Sequence, residues 1–121
     1  MTEQELFDAI LVKVPDLKHT EDKYDRIDCY TERSVIELKC RGVEYSTQLI
    51  EKDKYEALIA DGRTPFYLVH TSKRVLFFRL DLIGEPEWED KWLPATTEFG
   101  GGYKWKRVGF LPNSIGKEMI L

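Results

Sequence analysis

Residues 24–41 read YDRIDCYTERSVIELKCR, and both ends of this stretch alternate apolar and polar side chains. Such alternation, with a period of two, is typical of strands that bury one face. The four residues between the two ends, 31–34, are polar. They favour a four-residue loop that joins two antiparallel strands. The sequence therefore predicts a β-hairpin with strands at 24–30 and 35–40.

The register of this hairpin follows from the position of its turn. In a hairpin that is symmetric about its loop, the numbers of paired residues sum to 65. Cys29 then pairs with Ile36, and Ile27 pairs with Leu38, which gives the hairpin one apolar face. Because side chains alternate between the two faces of a strand, the residues between these four form a second, polar face.

Two acids lie opposite each other on the polar face. Asp28 pairs with Glu37 in this register, and directly opposed residues have Cβ atoms about 4.5–5.5 Å apart. Two carboxylates at that distance repel each other unless a cation lies between them, and oxygen-rich acidic pairs are what Mg²⁺ prefers. Lys39, two residues further along the same side, adds a positive charge where an anion could bind. The three groups together indicate a site for phosphodiester hydrolysis.

An Asp on one strand, followed on the next by Glu37-Leu38-Lys39 as an E-x-K element, resembles the PD-(D/E)XK nuclease superfamily, and within it the small phage or mobile-element type. The resemblance covers residues 1–82. It implies an α/β (α+β) fold with a restriction-endonuclease-like core. In that core a mixed central sheet, which contains the acidic hairpin, is flanked by helices in the order αβββαβ. We expect residues 1–121 to form one such domain.

The resemblance also implies a role for each residue of the site. In the superfamily the Asp and the Glu hold Mg²⁺, and Mn²⁺ substitutes for it. Asp28 and Glu37 would therefore be the metal ligands, with the backbone carbonyl of Leu38 as a further oxygen. The Lys, here Lys39, orients or activates the attacking water or stabilises the phosphorane.

Other positions have two readings each. Some branches of the superfamily place a Gln or Lys at the start of the helix after the hairpin, which makes Gln48 a catalytic candidate beside Lys52; both also fit a solvated helix face. Glu5 is the Glu of the first helix that could reach the metal, but it equally fits a capping role. Asp25 replaces Asp28 as the ligand if the strand carries a bulge.

The rest of the chain supplies the remaining elements. Thr2 and Glu5 form a capping-box pattern that starts a helix over about 3–13. A second helix is predicted to follow 45–47 and to end near Gly62, although residues 49–50 also fit an extended lead-in. Two apolar runs, at 66–70 and 75–80, predict a second hairpin that is central in the sheet.

The segment 84–102 is a long, Gly-hinged excursion of the kind that often forms a lid or a contact surface for a protein partner. Trp88 and Trp92 are spaced as i and i+4 within it, which predicts one helical turn. Residues 103–111 predict a final strand in which basic and aromatic residues alternate. Basic residues interleaved with aromatic ones can bind phosphates and stack on bases, or can protect an edge strand.

Composition restricts the class of protein. The 121 residues are 42% hydrophobic and 33% charged, and no apolar run approaches the length of a membrane span. The sequence predicts a cytoplasmic protein with no membrane partner, in which Cys29 and Cys40 are buried thiols. The net charge of −4 argues against nucleic-acid binding, but a locally positive cleft is compatible with it. The candidate nucleic-acid-binding residues are Arg41, Lys52, Lys104, Lys106 and Arg107.

Three functions follow from these observations. The first is a Mg²⁺-dependent nuclease that acts on DNA as an endonuclease. The second is a non-catalytic protein that keeps the nuclease fold and binds a host protein, which the acidic balance and the tryptophans of 84–102 favour. The third is a nuclease subunit of a larger complex. A homodimer would place two sites on two strands, but the sequence carries no interface signature.

Overall fold

The computed structural model describes residues 1–22, 26–95 and 101–121. Within these ranges the chain forms two α-helices, α1 (Glu3–Lys13) and α2 (Lys52–Ala60), and a short 3₁₀ helix at Asn113–Ile115. The strands are β1 (Lys18–His19), β2 (Cys29–Tyr30), β3 (Ser34–Cys40), β4 (Thr47–Glu51), β5 (Thr64–His70), β6 (Val75–Arg79), β7 (Glu89–Pro94), β8 (Tyr103–Pro112) and β9 (Lys117–Met119). Neither α-helix of the described ranges has the length and apolar character that crossing a membrane requires.

The main sheet has six strands in the order β1-β2-β3-β5-β6-β9. Its central pair, β3 and β5, is parallel, and the other neighbours are antiparallel. The parallel pair is connected through β4 and α2, because two parallel strands cannot be joined by a tight turn. The fold is thus α+β with a mixed central sheet and two helices. The predicted order αβββαβ describes the chain from α1 through β5 once β4, which belongs to a second sheet, is left out.

The predicted register of the first hairpin is confirmed. Cys29 pairs with Ile36 and Tyr30 pairs with Val35, so both pairs sum to 65. The strand is shorter than predicted, however, because among the described residues β2 begins only at Cys29. Asp28 therefore lies just beyond the end of the ladder.

A smaller, separate sheet contains β4, β8 and β7 in that order. Two predictions, the start of the second helix and the helical turn at 88–92, are to be compared with this sheet. Gln48 lies on β4, and α2 starts only at Lys52, so the extended lead-in is the correct reading of this segment. Trp88 precedes β7 and Trp92 lies on it, so the helical turn predicted from their spacing is wrong. The i, i+4 spacing is also an even spacing, which a strand accommodates equally well.

Apolar side chains bury both faces of the main sheet. Helix α1 covers one face, where Leu6, Phe7 and Ile10 pack in a cluster that includes Ile36 and Leu38 of β3. Helix α2 and the smaller sheet cover the other face, in a cluster formed by Val35, Ile50, Tyr55, Leu58, Tyr67, Val69, Leu76, Phe78, Leu80 and Leu111. Since side chains alternate along β3, Glu37 points toward the α2 side together with Val35.

The close approach of the 84–88 segment to β8 gives a stability prediction. A Cβ added at Gly109 would lie 2.7 Å from Pro86 Cγ and 3.0 Å from Trp88 Cζ3. We expect Gly109→Ala to lower the free energy of unfolding by about 1–3 kcal/mol, because the segment must move to relieve the overlap. Gly42→Ala is the matched control, since its Cβ would meet nothing within 4 Å. Urea denaturation measures both, and equal midpoints for the two variants would contradict the close packing.

Candidate active site

Asp28 is held against β3 by its own side chain. Its Oδ2 accepts a hydrogen bond of 2.8 Å from the backbone amide of Leu38. In an unbroken ladder with the 65 register, that amide would instead pair with the carbonyl of Ile27. The carboxylate thus replaces the next rung of the ladder, and the acid is fixed beside the middle of β3.

Glu37 is the buried acid of the site. It lies in the centre of β3, where Val35 and Leu38 are also buried, and only 2% of its surface is exposed. Its Oε1 accepts a hydrogen bond of 2.8 Å from Lys54 Nζ, on the first turn of α2. Its Oε2 is buried and has no hydrogen-bond partner among the described residues. A carboxylate oxygen left in this state is costly unless a proton or a cation satisfies it.

The electrostatics of the site follow from this burial. Burial, and next the negative charge of Asp28, raise the pKa of Glu37 from 4.5 to about 8, although Lys54 opposes the shift. Burial acts in the opposite direction on Lys54, but the charge of Glu37 and the hydrogen bond to it outweigh burial and raise the Lys54 pKa. The site therefore holds two carboxyl groups and one ammonium group in a desolvated space.

Lys39 and Glu3 complete the surroundings of the two acids. Burial, followed by the positive charges of Arg41 and Lys54, lowers the pKa of Lys39. Burial and then the charge of Asp28 raise the pKa of Glu3, which also interacts with Lys39. Next to Asp28 a cleft of about 260 Å³ is lined by Glu3, Gln4, His19, Thr20, Asp22, Ile27, Asp28 and Leu38. Asp28 and Glu3 thus lie at an open cleft, whereas Glu37 is buried behind them.

The two acids fit a Mg²⁺ ion. Mg²⁺ usually keeps several waters and is bound by one or two carboxylates together with substrate phosphates. Asp28 and Glu37 supply two carboxylates, and the Oε2 of Glu37, which accepts no hydrogen bond from the described residues, is an oxygen that a cation would satisfy. Residues 1–22, 26–95 and 101–121 contain no group of three or more His, Cys, Asp or Glu arranged to hold a metal. A bound ion would therefore depend on backbone, water and phosphate oxygens for its other ligands.

Two residues that were predicted at the start of the second helix, Gln48 and Lys52, have partners other than the two acids. The amide nitrogen of Gln48 donates to Asn113 Oδ1 at 3.0 Å and to the carbonyl of Tyr45 at 3.4 Å. Gln48 thus ties β4 to the segment after β8, and its predicted position at a helix start is wrong, whereas its catalytic role stays a prediction. Lys52 is on the surface in an ion pair of 3.2 Å with Glu56.

Lys54 and Glu3 were missed by the sequence analysis, which named Lys52 and Glu5 instead. Glu5 accepts from the amide of Thr2 and completes the capping box, as its alternative reading predicted. The i, i+4 spacing of Lys54 and Glu3 to buried apolar residues could have identified them. Lys54 precedes the buried Leu58 by four positions, and Glu3 stands in the same relation to the buried Phe7, so each shares the inward face of its helix. Asp25, the alternative to Asp28, lies outside the described residues.

The candidate nucleic-acid-binding residues fall in two places. Arg41 follows β3 and donates to the carbonyl of Leu49 at 3.2 Å. Of the other four, three lie on β8, where Lys106 pairs with Glu51 at 3.2 Å and Arg107 pairs with Asp90 at 3.1 Å. The candidates on β8 and Lys52 line one cavity, which is formed by Glu51, Lys52, Asp53, Glu56, Lys104, Trp105, Lys106 and Arg107.

Comparison with solved structures identifies a similar fold. The 1.6 Å structure of Hjc from Archaeoglobus fulgidus, a Holliday junction resolvase from an archaeal hyperthermophile, matches with a TM-score of 0.55. The match has 16% sequence identity and covers 98% of this chain and 93% of that chain. No family model and no curated protein matches the sequence. The likeness shows a shared fold, whereas membership of the PD-(D/E)XK nuclease superfamily and its phage or mobile-element type stays a prediction for this chain. The chain therefore has the restriction-endonuclease-like fold.

Proposed function

We propose that this protein is a metal-dependent nuclease, a single PD-(D/E)XK-like domain that hydrolyses phosphodiester bonds in DNA as an endonuclease. The observation that carries the proposal is the buried carboxyl of Glu37, which faces Asp28 and has an oxygen that only a shared proton or a cation can satisfy. A purely structural role gives no reason to bury an acid beside another acid. The resolvase-like fold supports the same conclusion.

Each residue has a defined part in the proposed reaction. Asp28 and Glu37, with the backbone carbonyl of Leu38, would hold Mg²⁺ or Mn²⁺. A divalent cation bound there lowers the pKa of a water molecule and neutralises charge on the phosphate. Lys39 places a half-buried positive charge beside the acids, where it positions the attacking water or stabilises the charge that develops on the phosphate. Lys54 holds Glu37 in place when no metal is bound.

Cleavage assays test the proposal directly. We expect the wild type to cleave DNA with Mg²⁺ or Mn²⁺, and Lys39→Ala to lose about 10²-fold or more in rate, because it removes a preorganised charge. The substrates should include plasmid, linear duplex, single strands and a four-way junction, since the similar solved structure is a Holliday junction resolvase. Lys13→Ala, in the last turn of α1, is the control for loss of a surface charge.

A second candidate function is a binding protein that retains the nuclease fold, alone or as a subunit of a larger complex. The exposed aromatic side chains of β7 and β8 favour it. Absence of cleavage on every substrate, together with no Mn²⁺ binding by titration calorimetry, would replace the nuclease proposal with this one. Metal binding with cleavage only in the presence of a partner would identify a nuclease subunit. Light scattering of the same samples tests the homodimer.

A further inference from the structure

The smaller sheet displays an aromatic cluster on its outer strands. Trp92 of β7 and Tyr103 and Trp105 of β8 are 56%, 61% and 68% exposed, respectively. Soluble proteins rarely leave contiguous large apolar groups in water unless the groups contact a ligand or partner. We refer to these three side chains as the aromatic cluster.

The strand register places the cluster on one face of the ribbon that β7 and β8 form. Trp92 pairs directly with Trp105, and Pro94 pairs with Tyr103, so the three aromatic side chains project to the same side. Their rings are in contact, because the centroid of Trp92 lies 5.5 Å from that of Trp105 and 6.4 Å from that of Tyr103. The cluster is therefore a continuous surface built by the fold.

The ribbon that carries the cluster has an excess of positive charge on an otherwise acidic protein. Strands β7 and β8 contain four basic residues and two acidic ones, whereas the whole chain has a net charge of −4. Both acids form ion pairs within the ribbon, Glu89 with Lys91 and Asp90 with Arg107. Lys104 and Lys106 alternate with the aromatic residues along β8 and project from the other face of the ribbon, whereas Arg107 projects from the aromatic face. Lys104 is exposed, lines the same cavity as Trp105 and has no ion pair among the described residues. An anionic ligand matches this distribution of charge.

The aromatic ribbon also faces the first turn of α2. Trp105 lines a cavity of about 360 Å³ whose opposite wall is that turn. Lys106 of β8 forms an ion pair of 3.2 Å with Glu51, the last residue of β4, so β8 is tied to the chain immediately before α2. A chain that binds along the ribbon would pass beside the start of this helix.

We propose that the β7–β8 ribbon binds unpaired nucleotides of a nucleic acid, with bases on the aromatic cluster and phosphates at Lys104 and the neighbouring basic residues. The substrate of the nuclease is then a DNA with a single-stranded portion. The statement about the substrate rests on the proposed function. The binding of unpaired nucleotides itself requires neither metal nor cleavage.

Unpaired bases fit the surface better than the other occupants. Every base has a π-face that can stack on an aromatic ring, but in a duplex these faces are covered by neighbouring bases. A duplex would reach the ribbon with its phosphates alone, and the aromatic rings would stay in water. A protein partner would satisfy the rings, but it gives no account of the local positive charge on an acidic chain.

Binding measured in EDTA tests the proposal. Fluorescence anisotropy would follow a labelled oligo(dT) of 12 nucleotides and a 12-base-pair duplex, each titrated with the wild type. We expect the single strand to bind more tightly than the duplex. Trp105→Ala should weaken single-strand binding by about 5- to 150-fold, the range for loss of one stacked base. Trp105→Phe should restore most of the affinity, because a phenyl ring still stacks. Lys104→Ala should reduce the slope of log K against log salt by about 0.7.

The control and the alternative outcomes are well separated. Tyr45→Ala removes another exposed aromatic side chain, outside the ribbon, and should leave binding unchanged. Equal affinity for duplex and single strand, or unchanged affinity in Trp105→Ala, would overturn the proposal. So would a wild type that binds no DNA and dissociates from dimer to monomer on Trp105→Ala, because a second copy would then cover the cluster. Single-strand binding without metal-dependent cleavage would retain this inference and reject the nuclease.

Discussion

Glu37→Gln should abolish DNA cleavage and, in the same protein, increase stability at pH 8. The cleavage rate should fall by about 10²–10³-fold, because the variant lacks the negative charge that a divalent cation requires. The stability effect follows from the environment of the acid. Glu37 is buried beside Asp28, and its pKa is raised from 4.5 to about 8. An uncharged amide of the same shape avoids the cost of ionising that group.

The sign of the pH dependence is fixed by the direction of the shift. Between pH 4.5 and about 8 the folded wild type holds a proton on Glu37 that the unfolded chain has released. The resulting stability is fully present below pH 4.5 and is lost as the pH rises through about 8. At pH 5 the wild type and Glu37→Gln should be nearly equal, and at pH 8 the variant should be more stable by about 2–4 kcal/mol, at about 1.4 kcal/mol per pKa unit.

Urea denaturation in EDTA at pH 5 and pH 8 measures this difference. Adding Mg²⁺ at pH 8 should stabilise the wild type and not the variant, because only the wild type can gain binding free energy. Equal stabilities at both pH values would show that Glu37 does not titrate in this range. A Glu37→Gln variant that still cleaves DNA would remove this acid from the chemistry.

Lys54→Met should destabilise the metal-free protein at alkaline pH and tighten its binding of metal. The variant keeps the length of the side chain but leaves Glu37 without the ammonium group that now lies 2.8 Å from its Oε1. Breaking a buried ion pair costs about 3–5 kcal/mol. Because a third of the Lys54 side chain is exposed, we expect a smaller loss, about 1–3 kcal/mol at pH 9. The loss should vanish at pH 5, where Glu37 is protonated.

Metal binding separates a counter-ion role for Lys54 from a merely structural one. In the wild type a divalent cation must share Glu37 with the ammonium group of Lys54. Removing that ammonium group should therefore tighten Mn²⁺ binding by about tenfold, or 1.4 kcal/mol. Titration calorimetry at pH 9 measures this. Lys52→Met is the control for stability, because Lys52 makes a surface ion pair with Glu56 on the same helix, worth less than about 1 kcal/mol. Weaker Mn²⁺ binding in Lys54→Met would mean that the ammonium group positions the carboxylate for the metal.

The local elements of this fold could be predicted because short-range patterns decide them. The alternation around residues 31–34 was enough to find the pairing of Cys29 with Ile36. The spacing of Thr2 and Glu5 identified the capping box. In both cases the interacting groups are close in sequence, so the period of the side chains and the geometry of the turn fix their contact.

The site was only partly predictable because its remaining members come from distant elements. Lys54 reaches Glu37 only because α2 begins at Lys52, after a strand that pairs with β8. Nothing local distinguishes that strand from a helix start, since Gln48 and Ile50 also fit the first turn of a helix. The error in the helix start then shifted the predicted lysine from Lys54 to Lys52. The choice of Glu5 instead of Glu3 was a similar error. Both residues lie in the first turn of α1, but Glu5 caps the helix, whereas Glu3 lines the cleft.

The parallel pairing of β3 with β5 also determines the order in which the site is built. The β2–β3 and β5–β6 hairpins can each form from contiguous chain, but β3 meets β5 only after β4 and α2 have been laid down between them. Closing that long loop is the entropically slow part of assembly. Until it closes, Glu37 is still hydrated and ionised like any surface acid. Glu37 therefore stays charged in water while the hairpins form, and it takes up a proton or a cation only when the central strands meet and bury it.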